Sequence, residues 1–200
     1  MSEPTGQWRI DADPAPAVCA RVLAAAFAQE PAVSWICGAS ESVRTHWFEA
    51  TLRAHATLSG ARRHVLTDSG GRPVAAAVLT PPGAAPAAGA RAVWAARTGI
   101  RCGPGTFRRT LRYLHLAEPA APTGAWTLEF IGVRPDMAGR GAGRALLDRL
   151  LTTTRAPAGF FLTTADPANV PLYRHFGFTV LHRTALGPLR ITAMSRPGIA

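Results

Sequence analysis

The chain contains no lysine: all 22 of its basic side chains are arginines, set against only 12 acidic residues. The resulting net charge of +10 favours anionic partners, but a phosphate-bearing cofactor, a nucleic acid or an acidic surface would each satisfy it. Acidic residues are absent altogether between Asp68 and Glu118, while Arg72, Arg91, Arg97, Arg101, Arg108, Arg109 and Arg112 fall inside that interval. It reads first as solvated helix faces and loops, next as help with a phosphate, and last as a nucleic-acid surface. Cysteine is scarce. Cys19, Cys37 and Cys102 are odd in number and lack the paired spacing of a metal or redox motif, which argues against a disulfide scaffold. No run approaches the roughly 18 apolar residues of a membrane span, and the Met-Ser-Glu-Pro start lacks the basic opening and apolar core of a secretion signal. These absences predict a cytoplasmic protein with neither a membrane nor a nucleic-acid partner.

What is present suits one domain spanning residues 1–200, since a 48% hydrophobic content over 200 residues is enough for a substantial core. Residues 8–10 predict a short strand. Asp13-Pro14 reads as a helix cap followed by proline at the first helical position. The helix after it places Val18, Val22, Leu23, Ala26 and Phe27 on one face. A second helix is predicted over 41–58, with Pro31 and Gly38 bracketing a connection between the two. Residues 64–67 and 73–80 read as antiparallel strands around Ser69-Gly70-Gly71, followed by a loop over 81–89. Helices are predicted over 90–100 and 106–116, separated by Gly103-Pro104-Gly105, with Trp94, Phe107, Leu111, Tyr113 and Leu114 as packing residues. Strands over 126–133 and 160–164, helices over 145–151 and 169–176, and a closing hairpin around Gly187-Pro188 complete the chain.

The segment GVRPDMAGRGAGRALL follows the predicted strand 126–133 and opens the helix after it. Gly139, Gly141 and Gly143 remove side chains where a backbone bends tightly. The successive N–H groups from Gly139 to Arg144, aided by the positive end of the helix, are suited to a pyrophosphate. The turn lacks the Gly-Lys-Ser/Thr ending of an ATP-binding loop and the acidic partner of a dinucleotide fingerprint. Taken alone, the glycines are weak evidence, and a plain structural turn is the competing reading. A second segment, ADPANVPLYRHFGFTV, predicts Asn169 as a helix cap whose amide also meets a ligand, and Tyr173 one turn later, on a side that can face the same cleft.

Together the two segments resemble the GNAT superfamily of acyl-CoA-dependent N-acyltransferases. Its cofactor motif, Gln or Arg, two variable positions, Gly, one variable position, then Gly or Ala, falls on Ala138, Gly139, Arg140, Gly141, Ala142 and Gly143. Ala138 departs from the pattern by replacing the usual polar residue, for which Arg140 or Arg144 would compensate. The later motif matches through Asn169, Leu172, Tyr173, Gly177 and Phe178. The N-terminal VLAAAFAQEP and the strand TLEFIGVRP resemble the branch that contains puromycin N-acetyltransferase. In that branch a carboxylate is expected where this chain has Thr163, a second departure.

The resemblance implies an α/β (α+β) single domain whose central mixed sheet splays apart near Gly132 and Val133, with a CoA-binding core over 126–180. Acetyl-CoA as cosubstrate would lie along Ile131, Val133, Ala138, Gly139, Arg140, Gly141, Ala142, Gly143, Arg144, Asn169 and Tyr173, with no metal. The acceptor amine would attack the thioester directly, with no covalent enzyme intermediate. Tyr173 is the candidate general acid, protonated at neutral pH; its other reading is a packing residue that orients the thiol. Glu129, an acid in an apolar strand, reads as general base, as a binder of the acceptor ammonium, or as a plain surface carboxylate. Asp166 is a weaker supporting candidate. The six histidines are dispersed, with His55 and His115 the two that folding would have to bring to the pocket, and Cys102 has no adjacent base. A small-molecule amine, an antibiotic or specialised metabolite among them, is the preferred acceptor. The alternatives are a peptide or protein acceptor, and a regulatory module that binds acyl-CoA without turnover. A homodimer is the working expectation for assembly.

Overall fold

The run Val74 to Leu79 is buried at every position, which a strand achieves only when both faces of its sheet are covered. In the computed structural model, which describes residues 8–117 and 121–198, this run is β3 (Pro73–Thr80). The Met-Ser-Glu-Pro start and Glu118 lie outside the described residues. Ahead of β3 come β1 (Arg9–Ala12), α1 (Pro16–Ala26), α2 (Pro31–Cys37), α3 (Glu41–His55) and β2 (Arg62–Thr67). After it come α4 (Ala88–Ala117), β4 (Trp126–Val133), a 3-10 turn (Pro135–Met137), α5 (Ala142–Thr153), β5 (Phe160–Thr164), α6 (Asn169–His175), β6 (Thr179–Leu186) and β7 (Leu189–Arg196).

The strands form one 7-stranded sheet in the order β1-β2-β3-β4-β5-β7-β6. It is mixed, because β4 and β5 run parallel while every other neighbouring pair is antiparallel. Alternation along β3 sends Ala75, Ala77 and Leu79 into a core shared with Leu146, Leu147 and Leu150 of α5, and Ala76 and Val78 into one shared with Leu23 of α1 and Phe48 of α3. Helices thus cover both faces, as the α/β reading requires.

Several local expectations are corrected. Asp13 does not cap α1: proline stands at the start of the helix, the capping position is Ala15, and no side chain bonds there. Asp13 instead pairs with Arg63 of β2. The segment between Pro31 and Gly38 is a helix, α2, with proline in its first turn and the Glu30 carboxylate accepting from Val33 N at 2.7 Å. Asn169 is the first residue of α6 and makes no capping bond. Leu111 and Leu114 are exposed on α4 and so are not packing residues. The break at Gly103 is real: φ 84° and ψ 161° interrupt the helix there, a conformation open essentially to glycine alone.

Candidate active site

The site begins where β4 and β5 part. Their parallel pairing consists of Trp126 with Phe160 and Thr127 with Phe161, whereas β4 stays paired to β3 as far as Val133 opposite Ala75. From Leu128 onward, the β5 side of β4 faces a gap, so the sheet is splayed at the expected end. Backbone groups alternate sides along a strand. Because the Arg134 N–H donates to Val74 O on β3 at 2.8 Å, the N–H groups of Val133 and Ile131 point the other way, into the gap. The β3–β4 register also slips between Val78, opposite Phe130, and Leu79, opposite Leu128. Glu129 is therefore the extra residue of a bulge, a device that re-aims a side chain, and it is exposed. At Gly132 a Cβ would stand 2.7 Å from Ala26 Cβ and 2.8 Å from the Phe27 ring, so the close seat of α1 on β4 requires glycine.

Beyond the gap lies the glycine turn. Ala138 closes the 3-10 turn, its N–H donating to Pro135 O at 3.2 Å. Gly139 and Gly141 follow with φ of 77° and 81°, left-handed values that cost an L-residue about 1–2 kcal/mol. The Ala145 N–H is the first of α5 to reach a backbone acceptor, Gly141 O at 2.9 Å. The N–H groups from Gly139 to Arg144 therefore have no backbone acceptor among the described residues, and they gather at the positive end of a 12-residue helix. A Cβ on Gly143 would lie 3.0 Å from Val133 Cγ2, which ties the helix start to the strand end. Arg140 is exposed beside the turn. Arg144 faces elsewhere, with Nη2 2.8 Å from His175 Nε2 and its guanidinium 5.9 Å from the Phe176 ring centre. Of the two arginines expected to compensate for Ala138, only Arg140 is uncommitted.

Tyr173 and Glu129 are brought to this region together with residues that sequence reasoning missed. Tyr173 is buried, its ring edge-on to Phe178 at 5.9 Å between centres. Burial pushes its phenol up to about 12, and the nearby carboxylates Glu30 and Asp166 push the same way. A second phenol, Tyr113 of α4, has its hydroxyl 3.3 Å from Thr163 Oγ1 on β5. Burial raises it to about 12 as well, against the Thr163 hydrogen bond and with help from Glu30 and Glu129. Glu30 itself is raised by burial, despite accepting from the backbone N–H groups of Val33 and Ala32, and Asp166 adds to the shift. Such fields fade with distance, so Glu30 lies within electrostatic reach of both phenols and of Asp166, and Glu129 within reach of Tyr113. Asn169 is half-buried at the start of α6, its N–H donating to Asp166 O at 3.2 Å.

Other candidates fall outside. His55 is buried behind β3, with Nε2 3.2 Å from Leu79 O. His115 is exposed and lines a shallow recess with Leu111, Leu116 and Leu186. The Cys102 thiol donates to Val43 O at 3.6 Å and is raised by burial. No group of three or more His, Cys, Asp or Glu side chains suited to a metal ion occurs among the described residues, and no described helix is long and apolar enough to cross a membrane.

Residues 30–178 match the model of the Acetyltransferase (GNAT) family. Among solved structures, one described as histone acetyltransferase HPA2 and related acetyltransferase from Corynebacterium glutamicum aligns at TM-score 0.69 and 20% identity, over 97% of this chain and 98% of that one. Arylalkylamine N-acetyltransferase 2 from Aedes aegypti gives 0.65 and 10%, over 95% and 98%. A polyamine N-acetyltransferase from Drosophila melanogaster gives 0.56 and 12%, over 96% and 100%. At these identities the likeness is one of fold. The family match spans the β4–β5 gap, the glycine turn and Tyr173 alike, and the chain belongs to the GNAT family of acyl-CoA-dependent N-acetyltransferases.

Proposed function

We propose that the chain transfers an acetyl group from acetyl-CoA to the primary amine of a small molecule, in a cytoplasmic setting. The observation that carries this is the juxtaposition of a β4 that parts from β5 beyond Thr127, a turn whose N–H donors have no backbone acceptor among the described residues, and a buried phenol within the field of Glu30 and Asp166. In this reading Ile131 and Val133 hold the pantetheine arm through their backbone groups, with Asn169 and Tyr173 on the opposite rim. The N–H groups of Gly139, Arg140, Gly141, Ala142, Gly143 and Arg144 hold the pyrophosphate, and Ala138 lines the turn. Arg140 adds a side-chain charge at its rim.

Bound acetyl-CoA supplies an activated carbonyl; the amine forms the new C–N bond to it as the C–S bond breaks. Glu129, on its bulge, takes the proton that the amine must lose, directly or through water, and Glu30 adds negative charge that draws an ammonium into the site. The Val133 N–H donates to the thioester oxygen as charge builds there. Tyr173 donates to the departing sulfur; because burial holds its proton firmly, the phenol stays a donor throughout the neutral range. The products are the amide and free CoA thiol. Placement in the puromycin-acetyltransferase branch, with an antibiotic-like acceptor, extends the proposal from sequence features alone, and a homodimer is its working assembly. Thiol release from acetyl-CoA across a panel of small primary amines tests it. Amine-dependent release is expected; acetyl-CoA binding with no release, or release with peptides alone, would overturn it.

A further inference from the structure

The chain has 2 tyrosines, and the acyl-transfer chemistry above uses one of them. The other, Tyr113, lies in the second half of α4, beyond the break at Gly103. Side-chain bonds fix that half in place. Arg109 Nε donates to Ile36 O at 2.9 Å, Trp47 Nε1 donates to Thr110 Oγ1 at 2.9 Å, and Tyr113 OH meets Thr163 Oγ1. The Tyr113 ring packs against the core under α1 and α3 and against the small cluster of Ala32, Leu186, Leu189 and Ile191. Tyr173 belongs to the core on the α5 face, so the two phenols approach from opposite faces of the sheet. Thr163 stands on β5 past Phe161, the last residue paired to β4. The Tyr113 hydroxyl is therefore held beside the opened part of the sheet by a ring that cannot move freely.

Two hydroxyls bonded to each other use one proton and one lone pair, which leaves a donor and further lone pairs unspent. An acceptor that covered them with a methylene would strand those groups, whereas one with its own hydrogen-bonding group would satisfy them. The reacting nitrogen has to lie near the thioester beside Tyr173, so Tyr113 meets a more distant part of the acceptor. Resting on the acetyltransferase reading above, we propose that Tyr113 is an acceptor-positioning residue. Its hydroxyl, oriented by Thr163, hydrogen-bonds a second polar group of the acceptor and so selects amines that carry one.

The test compares matched acceptors, tyramine against 2-phenylethylamine and 1,4-diaminobutane against n-pentylamine, by thiol release in the wild type, Tyr113→Phe, Thr163→Val and the double variant. The wild type should favour the polar member of at least one pair. In Tyr113→Phe that preference in kcat/KM should fall about tenfold, through the KM of the polar acceptor, with kcat, acetyl-CoA KM and Tm little changed. Thr163→Val should move the same ratio less, and the double variant should match Tyr113→Phe. A preference unchanged in Tyr113→Phe, or absent from the wild type while thiol is still released, overturns the inference and leaves the acetyltransferase reading standing. An equal loss on both members with a lowered Tm assigns Tyr113 to packing and overturns it too. A wild type that releases no thiol with any amine removes the acetyltransferase reading, and this inference with it.

Discussion

Glu30 shows what single residues conceal. It caps α2 through Val33 N, yet the residues that announce a helix cap in sequence are Ser, Thr, Asp and Asn, so nothing in the chain marks a glutamate before a proline as a cap. Its field on Tyr173 of α6 and Tyr113 of α4 depends on where the fold carries those two helices, which no spacing in the chain encodes. Tyr113 was hidden differently: its ring is core, as helical periodicity implies, and only the partner of its hydroxyl sets it apart. Tyr173, by contrast, was legible from its motif, and the structure adds a sharper expectation. With the phenol at about 12, the protonated donor form persists as pH rises and is lost only on approaching that value. Replacing Tyr173 by Phe should lower kcat about 100-fold and leave the acetyl-CoA KM within a few-fold. The wild-type kcat profile should show no falling limb near pH 10 that the Phe variant lacks; such a limb would mean that the phenol titrates as if in water.

At the scale of elements, β4, β5 and the β6–β7 hairpin were readable because each is a short apolar or alternating run bounded by glycine or proline. α2 was not, because its 7 residues are too few for helical periodicity to separate from a connection. Two nearby prolines blurred the start of α1, since either can open a helix. The bulge that turns Glu129 out of the β4 ladder has no signature in an apolar strand at all, for it arises from the register with β3. The glycine turn was legible as a turn, and the pyrophosphate-binding role proposed for its N–H donors is one that a substitution can probe. At Gly141 a Cβ would meet nothing within 4 Å, so Gly141→Ala is opposed only by its left-handed φ, at about 1–2 kcal/mol. Either the stability falls by that amount or the turn relaxes and its N–H groups swing apart. The expected result is a raised acetyl-CoA KM with kcat nearly kept, read by titrating acetyl-CoA at saturating amine. An unchanged KM together with unchanged stability, which would mean that the turn has relaxed without consequence, would detach these donors from the pyrophosphate.

For the whole molecule, the fold class and the splay were within reach because the family resemblance that the motifs carry implies both, while the way the layers press on His55 and the half-buried His64 had to be seen. His55 Nε2 faces Leu79 O, so that nitrogen carries the hydrogen and Nδ1 is left buried without a partner. Adding a proton at Nδ1 would place a charge there with no acceptor, and burial accordingly lowers His55 to about 4, with Arg63 adding to the shift. His64 is lowered by burial and by Arg62 and Arg149, and both of its ring nitrogens lack partners. In the unfolded chain each imidazole takes up a proton near 6.5. Between that pH and about 4 the unfolded state binds the His55 proton and the folded state does not, so stability falls as pH drops through this window and levels off below it. For His55 the loss amounts to about 3 kcal/mol, and His64 acts in the same direction. Urea unfolding at pH 7.0 and at about pH 4.5 should reveal the decline. In His55→Gln, whose amide can still donate to Leu79 O but does not titrate, most of the His55 share of that decline should vanish. A variant as acid-sensitive as the wild type would move the cause of acid unfolding away from this layer.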